Sequence, residues 1–293
     1  MENRKVKKTA ILLLKVMVTL TTLSYVISQL DFTHVNETLH RADLYWLFAA
    51  LLVFNASKVL SSLRLNHYFN TIGLGLDERY NLMLYYIGMF YNLFLPGGIS
   101  GDGYKVYVLH KYKRTPFKTL LQAVLLDRIS GLSALIFLAC ILFIFSSFMM
   151  RLSYVQGIII PMIIFIFPAT YLLNRFMFNR FIGIFKRTAL LGIAVQLLQL
   201  LSAVFIVYSL NVQANSIDYL TLFLVSSIIS VLPISIGGVG MRELTFLYGF
   251  GLLNLNANDG IIFSFIFFLI TVISSAIGAF FLHKVDRKED TPA

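Results

Sequence analysis

Two short segments place proline, glycine and charged residues inside stretches that are otherwise apolar. The first, Asn92–Gly103, reads NLFLPGGISGDG, and the second, Val231–Glu243, reads VLPISIGGVGMRE. Proline disfavours helix at the residue before it, and glycine permits left-handed backbone, so each segment predicts a turn that starts a new helix. A helix start exposes unpaired N–H groups and the positive end of the helix dipole, which favour phosphate or carboxylate. The alternative is that these glycines only allow close helix packing.

Charged residues beside the breaks complete a candidate binding site. Asp102 closes the first break, Arg242 and Glu243 close the second, and Asp127-Arg128 opens another apolar run. A charge at the bilayer centre costs at least about 3 kcal/mol on insertion scales, so we expect Asp102 to pair with Arg128 and Asp127 with Arg242. The alternative is that Asp127 and Arg128 lie at the membrane interface. The predicted substrate-binding residues are Asn92, Pro96, Gly97, Gly98, Ser100, Gly101, Asp102, Asp127, Arg128, Pro233, Gly237, Gly238, Gly240, Arg242 and Glu243.

The composition is that of a protein embedded in lipid. Hydrophobic residues make up 58% of the chain and charged residues 13%, whereas soluble domains carry about a quarter charged residues. The net charge of +10 comes from basic residues that flank apolar segments, which excludes a nucleic-acid partner and fits anionic lipid headgroups. Cys140 is the single cysteine and no phosphate-binding Gly-Lys-Ser/Thr loop occurs, so we expect no cofactor, metal site or catalytic residue.

Six apolar segments are long enough to span a bilayer, which takes about 20 residues. They are Ala10–Leu30, Leu44–Leu63, Ile129–Phe148, Tyr154–Leu173, Ala189–Leu210 and Gly260–Leu282. The first is too long for a signal peptide and is predicted to be retained as a helix. The two segments that carry the breaks, Tyr80–Asp102 and Tyr219–Glu243, are also apolar.

Basic residues concentrate on the cytoplasmic side of a membrane protein, and here they predict its topology. The basic stretches Arg4–Lys8 and Lys105–Lys118 are assigned to the cytoplasm, together with the connection marked by Lys58, Arg64 and Arg79. Both flanks of the first broken segment then lie inside. The loops Asn211–Asp218 and Asn254–Asp259 contain no Lys or Arg, so both flanks of the second lie outside.

The charges therefore predict an all-α polytopic membrane protein with six spanning helices and two re-entrant hairpins, one from each face. The alternative is eight plain spans. Residues 1–288 are predicted to form one membrane domain, with repeat halves at about 10–150 and 154–282, followed by a disordered tail at 289–293. Because the halves begin on opposite sides, they form an inverted repeat of the kind found in transporters. Both termini are expected in the cytoplasm, and the protein in the inner membrane.

Taken together, the three motifs resemble the lysylphosphatidylglycerol synthase transmembrane-region family, also called the flippase-like domain family. The resemblance rests on Asn92–Asp102, Asp127-Arg128 and Pro233–Glu243, and extends from about Ala10 to Leu282. The best-known relatives translocate aminoacylated phosphatidylglycerol between leaflets, and others are linked to polyprenyl-linked or glycosylated lipids. The resemblance implies a domain that transports amphiphiles.

This resemblance implies translocation of an anionic or modified lipid, or of a lipid-linked intermediate, between leaflets. Bifunctional relatives carry a cytosolic aminoacyltransferase domain, but only His283–Ala293 follow the last apolar segment here, so we do not expect aminoacyl-lipid synthesis. Two alternatives stay open: a membrane-embedded transferase that acts on lipid-linked substrates, and an accessory subunit of a lipid-modifying enzyme. The expected partners are membrane lipids, with a homo-oligomer or a lipid-modifying enzyme as further candidates.

Overall fold

Helices form nearly all of the described chain in this computed structural model, as predicted for an all-α protein. The structure describes residues 2–94, 100–212, 214–231, 235 and 238–289. Within these residues the α-helices are α1 (Glu2–Ser28), α2 (Phe32–Arg41), α3 (Leu44–Thr71), α4 (Glu78–Phe94), α5 (Ser100–Lys113), α6 (Phe117–Phe145), α7 (Ser147–Arg151), α8 (Gln156–Met177), α9 (Phe185–Ser209), α10 (Ser216–Val231), α11 (Met241–Leu253) and α12 (Ala257–Glu289).

Five helical segments of the described chain are long and apolar enough to cross a bilayer. They are Leu44–Thr71, Phe117–Phe145, Ser153–Met177, Asn179–Ser209 and Ala257–Leu282. By length and composition, these segments coincide with five of the six predicted spans. The remaining one, Ala10–Leu30, falls largely within α1, whose described apolar part covers only Val16–Ser28, so that span stays a prediction.

The bounds of α3 and α6 differ from the predicted ones, and the difference moves several charges into the helices. The spans were predicted to end at Leu63 and to begin at Ile129, because a charged residue lowers local hydropathy. Instead α3 continues through Arg64 to Thr71, and α6 begins at Phe117. Asp127 therefore lies inside α6 and is only 8% exposed, so its carboxylate is enclosed by protein.

Each broken segment folds into two short helices that pack side by side. In the first hairpin, α4 and α5, the rings of Tyr91 and Tyr104 have centroids 4.7 Å apart. In the second, α10 and α11, the rings of Tyr219 and Phe250 have the same separation. A second contact in each hairpin, Tyr85 with Lys105 and Ser227 with Arg242, pairs the residues in reverse order along the chain, so the helices of each hairpin run antiparallel. The four helices have 13 to 17 residues, or about 20 to 26 Å, which is less than the hydrocarbon thickness of about 30 Å.

Three pairs of helices join the first part of the chain to the second. α3 packs against α9 at the centre, α4 packs along α12, and α10 packs along α6. In the predicted repeat, α4 corresponds to α10 and α6 corresponds to α12. A two-fold axis that related the predicted halves would therefore turn the contact of α4 with α12 into that of α10 with α6. The first helix of each half departs from the pattern, because α1 packs on α11 whereas α8 packs mainly on α6. Most of α8 is left exposed and apolar, as suits a helix that faces lipid.

Candidate functional site

A cavity of about 250 Å³ lies among the helices and is lined by an unusual number of charged groups. α6 and both helices of the first hairpin supply most of its lining, α3 and α9 contribute Arg64 and Gln196, and Val231 at the end of α10 lies on its border. Parts of both hairpins therefore border one polar cavity. Its charged lining residues are Arg64, Asp102, Lys105, Asp127 and Arg128.

Asp102, in the first turn of α5, binds two of these cations. One carboxylate oxygen lies 3.0 Å from Nζ of Lys105, one turn further along α5, and the other accepts a hydrogen bond from Nε of Arg128. The predicted pair of Asp102 and Arg128 is thus confirmed. Lys105 also lies over the ring of Tyr85, with Nζ 4.5 Å from the ring centre. These contacts join both helices of the first hairpin to α6.

Asp127 pairs with Arg64 and not with Arg242, so the second predicted pair is wrong. Nε of Arg64 lies 2.8 Å from Oδ1 of Asp127, and the two side chains are 6% and 12% exposed. The pairing follows from the packing of α3 against α6, which no local pattern encodes. Two glycines make room for the guanidinium: a Cβ built on Gly131 would lie 3.1 Å from Nη2, and one on Gly192 would lie 3.4 Å from Nη1.

Two buried polar atoms beside this pair have no protein partner in the described chain. They are Nη1 of Arg64 and Oε1 of Gln196, a donor and an acceptor that belong to lining residues of the same cavity. An unsatisfied buried polar group costs about 1–3 kcal/mol, and more when charged. The five charged lining residues comprise three cations and two carboxylates, so the cavity has one net positive charge and spare hydrogen-bonding capacity. Both properties suit an anionic ligand with hydroxyl groups.

The backbone N–H groups at the first break were predicted to bind an anion, but at least one of them donates to an acceptor in the protein itself. Asn92, near the end of α4, accepts the N–H of Gly101 at 2.8 Å through its side-chain oxygen. Gly101 is buried against Gly88, and Ser100 is half-buried at the start of α5. The predicted residues Pro96, Gly97 and Gly98 lie outside the described residues.

The second break is arranged in a similar way. Gly240 has φ +82°, and its N–H donates to Oε2 of Glu243 at 2.8 Å, while Ser264 donates to Oε1 at 3.1 Å. The Glu243 carboxylate therefore caps α11 and joins it to α12. Arg242 donates to the hydroxyl of Ser227 at 3.3 Å. Gly238 has φ +80°, whereas Pro233 and Gly237 lie outside the described residues. None of the described predicted residues in this break lines the charged cavity.

Arg64, Lys105, Gln196 and Tyr85 were missed as site residues by the sequence analysis. Arg64 and Lys105 were counted as loop charges that mark the cytoplasmic side. A helical signal was available for Arg64, because Ser57, Ser61 and Arg64 recur at the spacing of one helix face, and all three are buried. Within the described chain, no group of three or more His, Cys, Asp or Glu side chains could hold a metal ion.

Comparison with known proteins finds a family match over most of the chain. The family model described as lysylphosphatidylglycerol synthase TM region matches residues 12–278 of the 293. No curated protein matches the chain. The match includes both hairpins, the buried ion pairs and four of the five described spanning segments in full, and it covers the fifth, Ala257–Leu282, up to residue 278. The chain therefore belongs to the lysylphosphatidylglycerol synthase transmembrane-region family, and it is an integral membrane protein of a family linked to lipid modification.

Proposed function

We propose that this protein translocates lipids with an anionic headgroup between the leaflets of the inner membrane. The observation that carries the proposal is the charged cavity that both hairpins border. Ionisable groups inside a membrane protein are expensive and usually mark the path of a substrate or ion. The cavity is small, so it would take the headgroup while the acyl or prenyl chains stay in the lipid.

The cavity charges would bind and release the headgroup by exchanging partners. Asp102 binds two cations, and Arg128 is the more open of them, with 32% of its side chain exposed against 6% for Lys105. A lipid phosphate that approaches Arg128 would compete with the Asp102 carboxylate for the guanidinium. The cavity could then accept an anion without leaving a cation unpaired at any stage, which keeps the electrostatic cost of each step low.

The arrangement of the hairpins supports alternating access from the two sides. We propose that each hairpin enters and leaves the membrane on one face, the first from the cytoplasm and the second from outside, in an inverted repeat. The short antiparallel helices and the exchanged packing of α4 on α12 and α10 on α6 support this arrangement. Both termini would then be cytoplasmic.

Labelling of single cysteines tests that topology. In a Cys140→Ala background, a cysteine at Lys111 and one at Asn256 should react with a membrane-impermeant maleimide from opposite faces of oriented vesicles. Both positions are exposed, so access to the reagent depends on membrane sidedness rather than on burial. Labelling of both from the same face would contradict the inverted repeat and favour eight plain spans.

Translocation itself can be measured with purified protein in vesicles that contain fluorescent phosphatidylglycerol, by quenching the outer-leaflet dye. We expect Asp102→Asn to slow movement about tenfold to 100-fold, because a charge-assisted hydrogen bond contributes about 1.5–3 kcal/mol. Asp218→Asn is the matched control. Asp218 is also a buried acid, but its Oδ1 accepts the Ser147 N–H away from the cavity, and asparagine keeps that acceptor.

The same vesicles separate the proposed function from its alternatives. Lipid movement without any added donor supports a translocator. Turnover that requires a lipid-linked donor would indicate a transferase instead. A preparation that moves no lipid unless a co-purifying enzyme is present would indicate an accessory subunit. Equal rates for the unaltered protein and Asp102→Asn would remove this carboxylate from the mechanism.

A further inference from the structure

Two cations outside the charged cavity, Lys58 on α3 and Arg242 on α11, lie on one pair of touching aromatic rings. Nζ of Lys58 is 4.1 Å from the centre of the Phe54 ring, and Cζ of Arg242 is 5.3 Å from that of Phe267. The two rings meet edge to face with their centroids 5.5 Å apart. The ring pair therefore brings the two positive side chains to one place between α3, α11 and α12.

No protein carboxylate lies within 4 Å of either cation in the part of the chain that the structure describes. The ion pairs found there involve other basic residues. Glu243, the residue after Arg242, attracts the guanidinium but forms no ion pair with it, and its two carboxylate oxygens accept hydrogen bonds from Gly240 and Ser264. Residues 95–99, 232–234 and 236–237, at the two breaks, include no acidic side chain.

Two adjacent basic side chains that lack an ion-pair partner are unfavourable inside a membrane protein. Contact with aromatic rings offsets part of this cost, but the rings do not neutralise the charges. A phosphate group would do so, because it has at least two oxygens that share negative charge and can meet an ammonium and a guanidinium together. The cluster has the composition of an anion site rather than of a structural salt bridge.

We infer that Lys58 and Arg242 bind a phosphate group at a second anion site, distinct from the charged cavity. The phosphate is either the ester of a phospholipid headgroup or inorganic phosphate. The first alternative, a phospholipid headgroup, rests on the proposed function. α3 connects the two sites, since Arg64 is six residues after Lys58, or about 9 Å along the helix axis. A headgroup that leaves the cavity would meet the second site after a short step.

Native mass spectrometry of the purified full chain with short-chain phosphatidylglycerol tests this site. Lys58→Gln and Arg242→Gln should each lose one bound lipid per chain, and Lys58→Arg should retain it. Lys113→Gln is the control, because Lys113 is an exposed lysine at the end of α5. Diacylglycerol, which lacks phosphate, should not bind in this way. Titration calorimetry with inorganic phosphate provides the second arm.

The outcomes distinguish a lipid headgroup from inorganic phosphate, and they test the second anion site separately from the proposed translocation. Binding of inorganic phosphate that depends on both residues identifies free phosphate as a ligand, whereas a response to phosphatidylglycerol alone identifies the headgroup. Unchanged binding of both ligands in the Lys58→Gln and Arg242→Gln variants would overturn the site. A protein that binds phosphate here but moves no lipid would overturn the proposed function and leave this site in place.

Discussion

Removal of either partner of the Arg64–Asp127 pair should lower the apparent melting temperature of the detergent-solubilised protein by roughly 10 °C. The expectation follows from burial, since the two side chains are 6% and 12% exposed and lie 2.8 Å apart. The variants Arg64→Met and Asp127→Leu each leave one uncompensated buried charge, which costs about 3–5 kcal/mol. Fluorescence-monitored thermal unfolding of each variant measures the loss.

The double variant supplies the control for this experiment. Replacing a buried ion pair with apolar residues of similar volume is often neutral, so Arg64→Met with Asp127→Leu should recover most of the lost stability. Lipid movement should not recover, because the cavity has lost two of its charges. Additive destabilisation in the double variant would show that the two residues do not act as a buried pair.

Alanine at Gly101 should prevent the first hairpin from packing. A Cβ at this position would collide with the backbone carbonyl of Gly88 on α4, and backbone atoms cannot move aside as a flexible side chain can. Overpacking typically costs about 1–3 kcal/mol, and we expect the upper end or more here. Size-exclusion chromatography and thermal unfolding should show loss of the monodisperse folded protein.

Gly103 offers a matched comparison on the same helix. A Cβ at this position would meet nothing within 4 Å, so Gly103→Ala should fold normally. Alanine is favoured over glycine in a helix interior by about 1 kcal/mol, and the variant should be equally or slightly more stable. If Gly101→Ala were as stable as Gly103→Ala, the close approach of α4 and α5 would be wrong.

Hydropathy and charge were sufficient to predict the helical class, five of the spans and the interruption of two segments. They also identified Asp102 and Arg128 as partners, because both are charges without an obvious reason to lie in an apolar protein. They misplaced Arg64 and Lys105, since a window of apolar residues ends wherever a charge appears. Paired charges can continue inside a helix, and their partners depend on which helices become neighbours.

The glycine breaks illustrate a second limit. The N–H groups at helix starts were predicted to hold an anion, but Asn92 binds the N–H of Gly101, and Glu243 binds that of Gly240. Those two acceptors lie nine residues before and three residues after the glycines, and local sequence cannot decide between a protein acceptor and a ligand. The cationic side chains of Lys58 and Arg242 are more available for anion binding than these two N–H groups.

Helix α3 has a mechanical consequence for both sites. It is a continuous helix of 28 residues that holds Arg64 at the cavity and Lys58 at the aromatic pair. A helix resists bending over two turns, so the backbones of Lys58 and Arg64 move together. If α3 rotates about a point of contact with α9 that lies between these positions, Lys58 and Arg64 are displaced in opposite directions. Occupancy of the sites would then be reciprocal, with release from one tied to capture at the other.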